Sequence, residues 1–253
     1  MNAGFSKTIL RFRSSALAVL ALSAVVASAH ADTIAVVNGG FEQTTTNTSS
    51  EFGSRYSSQQ VTGWTTGGYN FVFKPGTADT TGASSEYGTV KLWGPGTGSN
   101  NGLTSSPLGG NFLALDGAYA QGPVSQTLSG LTIGATTTVS FYFAGAQQSG
   151  YDGATTEQLK VSLGGQNLYT EILTDPSHGF TGWKYETLSF TATDTTQVLS
   201  FLAIGTPSGV PPMSLLDGVS VTSTSPVPEP SSIALMMTGL AGFGGYVRSR
   251  FKK

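Results

Sequence analysis

Short apolar/polar alternations run through most of this chain, and they set its secondary structure. The clearest spans Thr136 to Ala144, where Thr137, Val139, Phe141 and Phe143 share one face and Thr138, Ser140 and Tyr142 the other. A period of two is the mark of a half-buried strand. Leu159-Lys160-Val161-Ser162-Leu163 repeats it before Gly164-Gly165. Other β-runs are Ile34 to Val37, Val61 to Trp64, Tyr69 to Phe73, Val90 to Trp93 and Asn111 to Leu115. Asn167 to Leu173, Trp183 to Thr191, Gln197 to Ile204 and Met213 to Val221 complete the set. Turn signals separate them, among them Asn38-Gly39-Gly40, Gly67-Gly68 and Asp116-Gly117. Thr44 to Gln60 is polar and poor in aliphatics and reads as a long surface loop. No amphipathic helix interrupts this stretch. The pattern predicts an all-β domain, an antiparallel β-sandwich or barrel, with a jelly roll as the expected form.

Two segments depart from the pattern, one at each end. Lys7, Arg11 and Arg13 precede the apolar run Ala16 to Ala27, and Ala27-Ser28-Ala29 and Ala29-His30-Ala31 offer the small residues a signal peptidase requires. At the other end Val227-Pro228-Glu229-Pro230-Ser231 leads into the apolar run Ile233 to Val247, then Arg248, Arg250, Lys252 and Lys253. Pro228 and Pro230 keep the chain extended ahead of that run. At about 15 residues it is short against the roughly 20 of a spanning helix. Basic residues lie before the first greasy segment and behind the last, so both tails start on the inner face and the middle is translocated. The organisation read from this is a signal peptide at 1–31, a β-sandwich domain at 32–225 and a sorting segment at 226–253.

The tail resembles the PEP-CTERM sorting signal of Gram-negative bacteria that make extracellular polysaccharide. That resemblance implies export across the inner membrane, transient anchoring there, recognition of Pro228-Glu229-Pro230 by the membrane protease exosortase, and a final place at the cell surface or in the extracellular matrix. Signal peptidase is the other processing partner expected.

With both ends set aside, residues 32–225 hold thirteen carboxylates against Arg55, Lys74, Lys91, Lys160 and Lys184. An acidic domain of this kind disfavours nucleic acid as a partner. The chain has no cysteine, which removes disulfides and thiolate metal sites. His178 is the one histidine expected to remain in the mature chain, so a multi-histidine zinc site cannot form. It sits in Asp175-Pro176-Ser177-His178-Gly179, a turn by composition, with no G-x-S-x-G elbow to accompany it. No catalytic residue and no enzymatic activity are expected. A secreted glycan hydrolase is the least favoured of the alternatives.

Val37-Asn38-Gly39-Gly40-Phe41-Glu42 near the start and Leu215-Leu216-Asp217-Gly218-Val219-Ser220-Val221 near the end resemble the galactose-binding-like jelly rolls found among carbohydrate-binding modules. In many of these a carboxylate from each end helps hold a structural calcium ion. The resemblance makes Glu42 and Asp217 the candidate Ca²⁺ ligands; no other cofactor is expected. It also makes exopolysaccharide the expected ligand. Sugar recognition needs flat aromatics beside fixed hydrogen-bonding groups. Gln147-Gln148-Ser149-Gly150-Tyr151-Asp152-Gly153 connects two alternating strands, so Tyr151 is expected to stack while Gln147, Gln148 and Asp152 read hydroxyls. Trp64, Tyr69, Trp93 and Tyr119 are further stacking candidates, and Trp183, opening a strand, is read as core. A structural or adhesive protein whose sandwich binds other proteins is the alternative.

Overall fold

The computed structural model of the protein describes residues 31–53 and 59–224. The expected leader through His30, the sorting residues Val227, Pro228, Glu229, Pro230, Ser231, Arg248 and Arg250, and Arg55 lie outside the described residues. The first strands are β1 (Ala31–Ile34), β2 (Ser50–Glu51), β3 (Thr65–Thr66), β4 (Asn70–Phe73), β5 (Ala83–Ser85), β6 (Gly88–Val90) and β7 (Phe112–Asp116). They are followed by β8 (Val124–Ser129), β9 (Thr136–Gln147), β10 (Thr155–Leu163), β11 (Gln166–Tyr169) and β12 (Leu173–Asp175). The last three are β13 (Lys184–Thr191), β14 (Thr196–Thr206) and β15 (Pro212–Thr224).

These strands form two sheets. The larger runs β13-β9-β15-β7-β4-β2-β5-β6, with β1 also paired to β15; the smaller runs β11-β10-β14-β8-β3, with β12 also on β10. Every pairing is antiparallel except β2 with β5, which is parallel at Ser50 and Ser84. The alternation at Thr136 does what its period requires: Thr137, Val139, Phe141 and Phe143 are buried, and Thr138, Ser140 and Tyr142 are not. Leu159, Val161 and Leu163 of β10 meet them from the other sheet, with Leu199 and Phe201 of β14. Phe141 and Phe201 cross edge to face at 5.2 Å. The expected β-sandwich is observed.

The larger sheet is buried on its second face as well. All of β4 and β7 is buried, which is why Phe71-Val72-Phe73 and Phe112-Leu113-Ala114-Leu115 are continuous apolar runs rather than alternations. Val72, Leu113 and Leu115 face the other sheet, while Phe71, Phe73, Phe112 and Ala114 join a second cluster with Ala78, Leu92, Ala144, Met213 and Leu215. Fully burying one such Phe contributes about 2 kcal/mol. Segments on either side of β5 and β6, with Phe180 and Trp183, form the cover.

Midway, β15 bulges: Asp217 opposes Tyr142 and Ser220 opposes Ser140. Gly218 takes φ 64°, the left-handed turn that an inserted residue needs. Before the bulge β15 pairs with β7, after it with β1.

Of the expected runs Ile34 to Val37 and Val90 to Trp93 only the first residue of each lies in a strand, ending β1 and β6, and four further expectations need correction. The stretch 44–60 contains β2, with Ser49, Ser50, Glu51 and Phe52 buried, so it is not wholly a surface loop. Val61 to Trp64 is a turn rather than a strand, closed by Trp64 N–H on the Val61 carbonyl at 3.0 Å. Asn167 to Leu173 divides between β11 and β12. Val124 to Ser129, which the pattern left unassigned, forms β8 with Gln126 buried inside it.

Candidate functional site

Where the second apolar cluster reaches the surface, loops from four parts of the chain bring tyrosines together. Tyr69 stands just before β4, buried at its base, with its ring edge-on to Phe71 at 4.6 Å. Its hydroxyl meets Ser85 Oγ at 2.7 Å. Ser85 ends β5 and donates to the Gly88 carbonyl across the two-residue hairpin that carries Tyr87. Gly88 has φ 106°, which that turn requires. Tyr119 lies in the turn after β7. Asp116 builds this turn: Oδ1 accepts the N–H groups of Ala118 and Tyr119, each at 3.1 Å, and Oδ2 that of Ala120 at 2.5 Å.

The result is a triad of rings. Tyr69 lies 5.8 Å from Tyr87 and 6.0 Å from Tyr119, and Tyr87 and Tyr119 cross edge to face at 5.9 Å. The Tyr119 hydroxyl donates to that of Tyr87 at 3.2 Å. Tyr87 and Tyr119 are each about 60% exposed (61% and 59%), far more than Tyr69 at 5%. Burial pushes the Tyr69 phenol up to about 12, against its hydrogen bond to Ser85, with the charges of Glu51, Glu86 and Asp116 adding to the rise. It therefore stays protonated at any physiological pH.

Tyr151, Gln148, Ser208, Gly209, Pro211 and Met213 complete a cleft of about 360 Å³ around the triad. Tyr151 belongs to the β9–β10 connection, and its carbonyl accepts the indole N–H of Trp93 at 2.9 Å. The Gln148 N–H is tied to the Pro211 carbonyl at 3.2 Å. Exposed ring faces beside hydroxyls and one amide suit a ligand that has both apolar C–H faces and hydroxyls.

A second feature joins the ends of the fold. The Gly39 carbonyl accepts the Val219 N–H at 2.9 Å, and this places the Phe41-Glu42 segment beside the bulge of β15. Phe41, at φ 60°, turns the chain there. Glu42 Oε1 accepts the Asn111 N–H at 2.7 Å. Asp217 Oδ2 accepts from Ser106 Oγ and Oδ1 from the Gly218 N–H at 2.6 Å. Burial raises the Asp217 carboxyl to about 6; its two hydrogen bonds oppose this, and the charge of Glu42 adds to it. Two acids that repel each other, one buried and neither paired with a base among the described residues, fit a hard cation in sign and in donor type.

Over residues 69–221 the sequence matches the model described as protein of unknown function, DUF642. The chain belongs to the DUF642 family. Residues 226–250 match the PEP-CTERM protein-sorting motif, which implies export, processing by exosortase and attachment at the cell surface. No curated protein matches the chain. Solved structures similar to this DUF642 chain include a carbohydrate-binding module, TmCBM61, in complex with β-1,4-galactotriose: 16% identity, 63% of this chain and 88% of that one, TM-score 0.34. A CBM4 structure is 17% identical over 75% of this chain and 99% of that one, TM-score 0.34. The CBM22-1 xylan-binding domain of Paenibacillus barcinonensis Xyn10C is 12% identical over 70% and 94%, also at 0.34. Likeness at these scores carries nothing about ligand or site.

The candidates read from the sequence divide. Tyr69, Tyr119, Tyr151 and Gln148 line one cleft. Trp64 does not: it is 3% exposed, packed between Phe41 and Phe201, with its indole N–H on the Asn38 carbonyl. Gln147 is fully buried and structural. Its amide donates to Gly153 O, Thr155 Oγ1 and Pro176 O, and its carbonyl accepts the His178 N–H. Trp93 supports Tyr151 from behind and stacks on His178 at 3.9 Å. Asp152 is exposed but meets His178 Nε2 at 2.5 Å instead of lining the cleft. Trp183 is half-buried, edge-on to Phe112. Sequence reasoning missed Tyr87. A tyrosine between Glu86 and Gly88 in a turn-like stretch was the available signal.

Proposed function

We propose that this protein is a non-catalytic cell-surface or extracellular-matrix protein whose sandwich binds exopolysaccharide in the tyrosine cleft. The observation that carries this reading is the triad of Tyr69, Tyr87 and Tyr119, extended by Tyr151, around a single open cleft. Aromatic faces cover the C–H faces of a pyranose, and the phenol hydroxyls with the Gln148 amide are placed to meet its hydroxyls. A non-enzymatic role is supported by the one acid that lines the cleft. Glycoside hydrolysis takes two opposed carboxyl groups. Among the described residues Asp116 is the sole carboxylate lining the cleft; it is 1% exposed and is occupied by three backbone N–H groups. The sorting tail would bring this domain to the place where exopolysaccharide accumulates. Glu42 and Asp217 would hold a structural Ca²⁺ that clamps the first and last segments of the domain.

The test is retention of the full-length chain in native gels cast with individual polysaccharides, the producer's own among them, with calcium present. Retardation by a glycan, lost in Y119A, supports the reading. Migration unchanged by every glycan refutes it and favours the adhesive alternative.

A further inference from the structure

Deeper in the sandwich lies another pair of acids, Glu157 and Asp175, 1% and 0% exposed. Thr155 and Glu157 are two apart on the inward face of β10, and β12 sets Asp175 directly opposite Thr155. The two acids are therefore diagonal neighbours on one face of an antiparallel pair. Thr155 Oγ1 donates to Glu157 Oε1 at 2.5 Å. Glu157 Oε2 and both oxygens of Asp175 have no hydrogen-bond partner among the described residues. No basic side chain pairs with either among the described residues.

The surrounding chain is shaped to admit these oxygens. A Cβ at Gly145 would lie 2.5 Å from Glu157 Oε2, and one at Gly179 would lie 2.1 Å from Asp175 Oδ1. Neither glycine has a positive φ, so space, not backbone conformation, explains them. Gln147 pins the 176–179 turn over the pair through Pro176 O and the His178 N–H.

Buried polar atoms in folded proteins are almost always partnered, and an unpaired buried charge is far costlier than a neutral group. Three orphan oxygens on two adjacent acids thus call for a positive partner. Two carboxylates match a divalent ion in charge, and an all-oxygen donor set with no sulfur or imidazole selects a hard one. No third acid or histidine joins the pair among the described residues, so the remaining ligands would be neutral oxygens. We propose that Glu157 and Asp175 hold a divalent, oxygen-liganded cation between the sheets, beneath the 176–179 turn and separate from the Glu42–Asp217 pair.

The probe is calcium chloride, with magnesium chloride in parallel. The full-length chain is stripped with EDTA, dialysed against calcium at pH 8.5, and its bound metal counted by atomic emission. The wild type is compared with E157Q/D175N and with E42Q/D217N. The proposal expects E157Q/D175N to hold one ion fewer than the wild type, and E42Q/D217N to keep that ion. It also expects calcium at a hundredfold above Kd to raise the Tm of E42Q/D217N by about 5–10 °C. Equal metal in the wild type and a folded E157Q/D175N overturns it. Should E157Q/D175N fail to fold, the melt of E42Q/D217N decides: no rise with either cation overturns the proposal, as expected if the pair carries protons.

Discussion

Replacing Asp116 by alanine removes the acceptor that shapes the turn carrying Tyr119. The carboxylate takes three backbone N–H groups, from Ala118, Tyr119 and Ala120, and is itself 1% exposed. A hydrogen bond to a charged acceptor is worth about 1.5–3 kcal/mol. The three donors are only partly buried, so water recovers much of this in the variant. A net loss of about 2–4 kcal/mol is expected for D116A. In D116N the carbonyl oxygen can still serve Ala118 and Tyr119, but the amide NH₂ faces the Ala120 N–H, donor against donor. That variant should lose less, about 1–2 kcal/mol. Urea denaturation of the full-length chain, followed by circular dichroism, measures both through the shift in midpoint at constant slope. Glycan retention should fall in D116A along with stability, because Tyr119 is released from Tyr87. A loss below about 1 kcal/mol in D116A, or a larger loss in D116N, would refute the role given to this carboxylate.

W64A should cost about 3–5 kcal/mol in the same denaturation, since the ring fills the core between Phe41 and Phe201, yet the folded fraction should keep its glycan retention. In G110A a Cβ would sit 1.8 Å from Glu42 Oε1 at a backbone φ of 72°. Calcium should then no longer raise the Tm of a G110A/E157Q/D175N chain, while it still raises that of E157Q/D175N. Burial pushes Glu157 up to about 8, the Thr155 hydrogen bond opposing and the Asp175 charge adding, and burial lifts Asp175 to about 7. The unfolded chain releases these protons first, near the ordinary carboxylate values of 4.5 and 3.8, so in EDTA stability should fall as pH rises from about 4 to about 8. Melts across that range should show the decline, shallower in E157Q; a flat or rising wild-type curve would contradict it.

Strands with a regular period were readable in the sequence, and those held by polar contacts were not. Thr136 to Ala144 alternates without a break, so β9 could be placed from its pattern. In β8 the buried Gln126 interrupts the apolar series. It is satisfied by the Val37 N–H and carbonyl and the Gly63 carbonyl, partners 89 and 63 residues away. In β2, Ser50 and Glu51 carry no apolar signal, although both are buried within the larger sheet. Aromatic residues raise a related difficulty. Nothing local distinguishes Trp64, which the sandwich core encloses, from Tyr119, which stands 59% exposed. The cleft is assembled from loops far apart in sequence, and Tyr87 joins it only because a hairpin at the sheet edge folds back toward Tyr69. Gln147 shows the reverse case. A polar residue at the start of a polar connection is fully buried, since its amide ties the β9 end to the 176–178 turn.

The measurement closest to the central claim is isothermal titration of fragments of the producer's own exopolysaccharide into the wild-type chain and into Y87A/Y119A. Both substitutions remove largely exposed rings, so the fold should hold, and circular dichroism would verify it. The account predicts saturable binding by the wild type and binding weaker by about fivefold or more in the variant, given about 0.5–1.5 kcal/mol for each of two aromatic contacts. Equal binding by both chains, or none by the wild type, would contradict it.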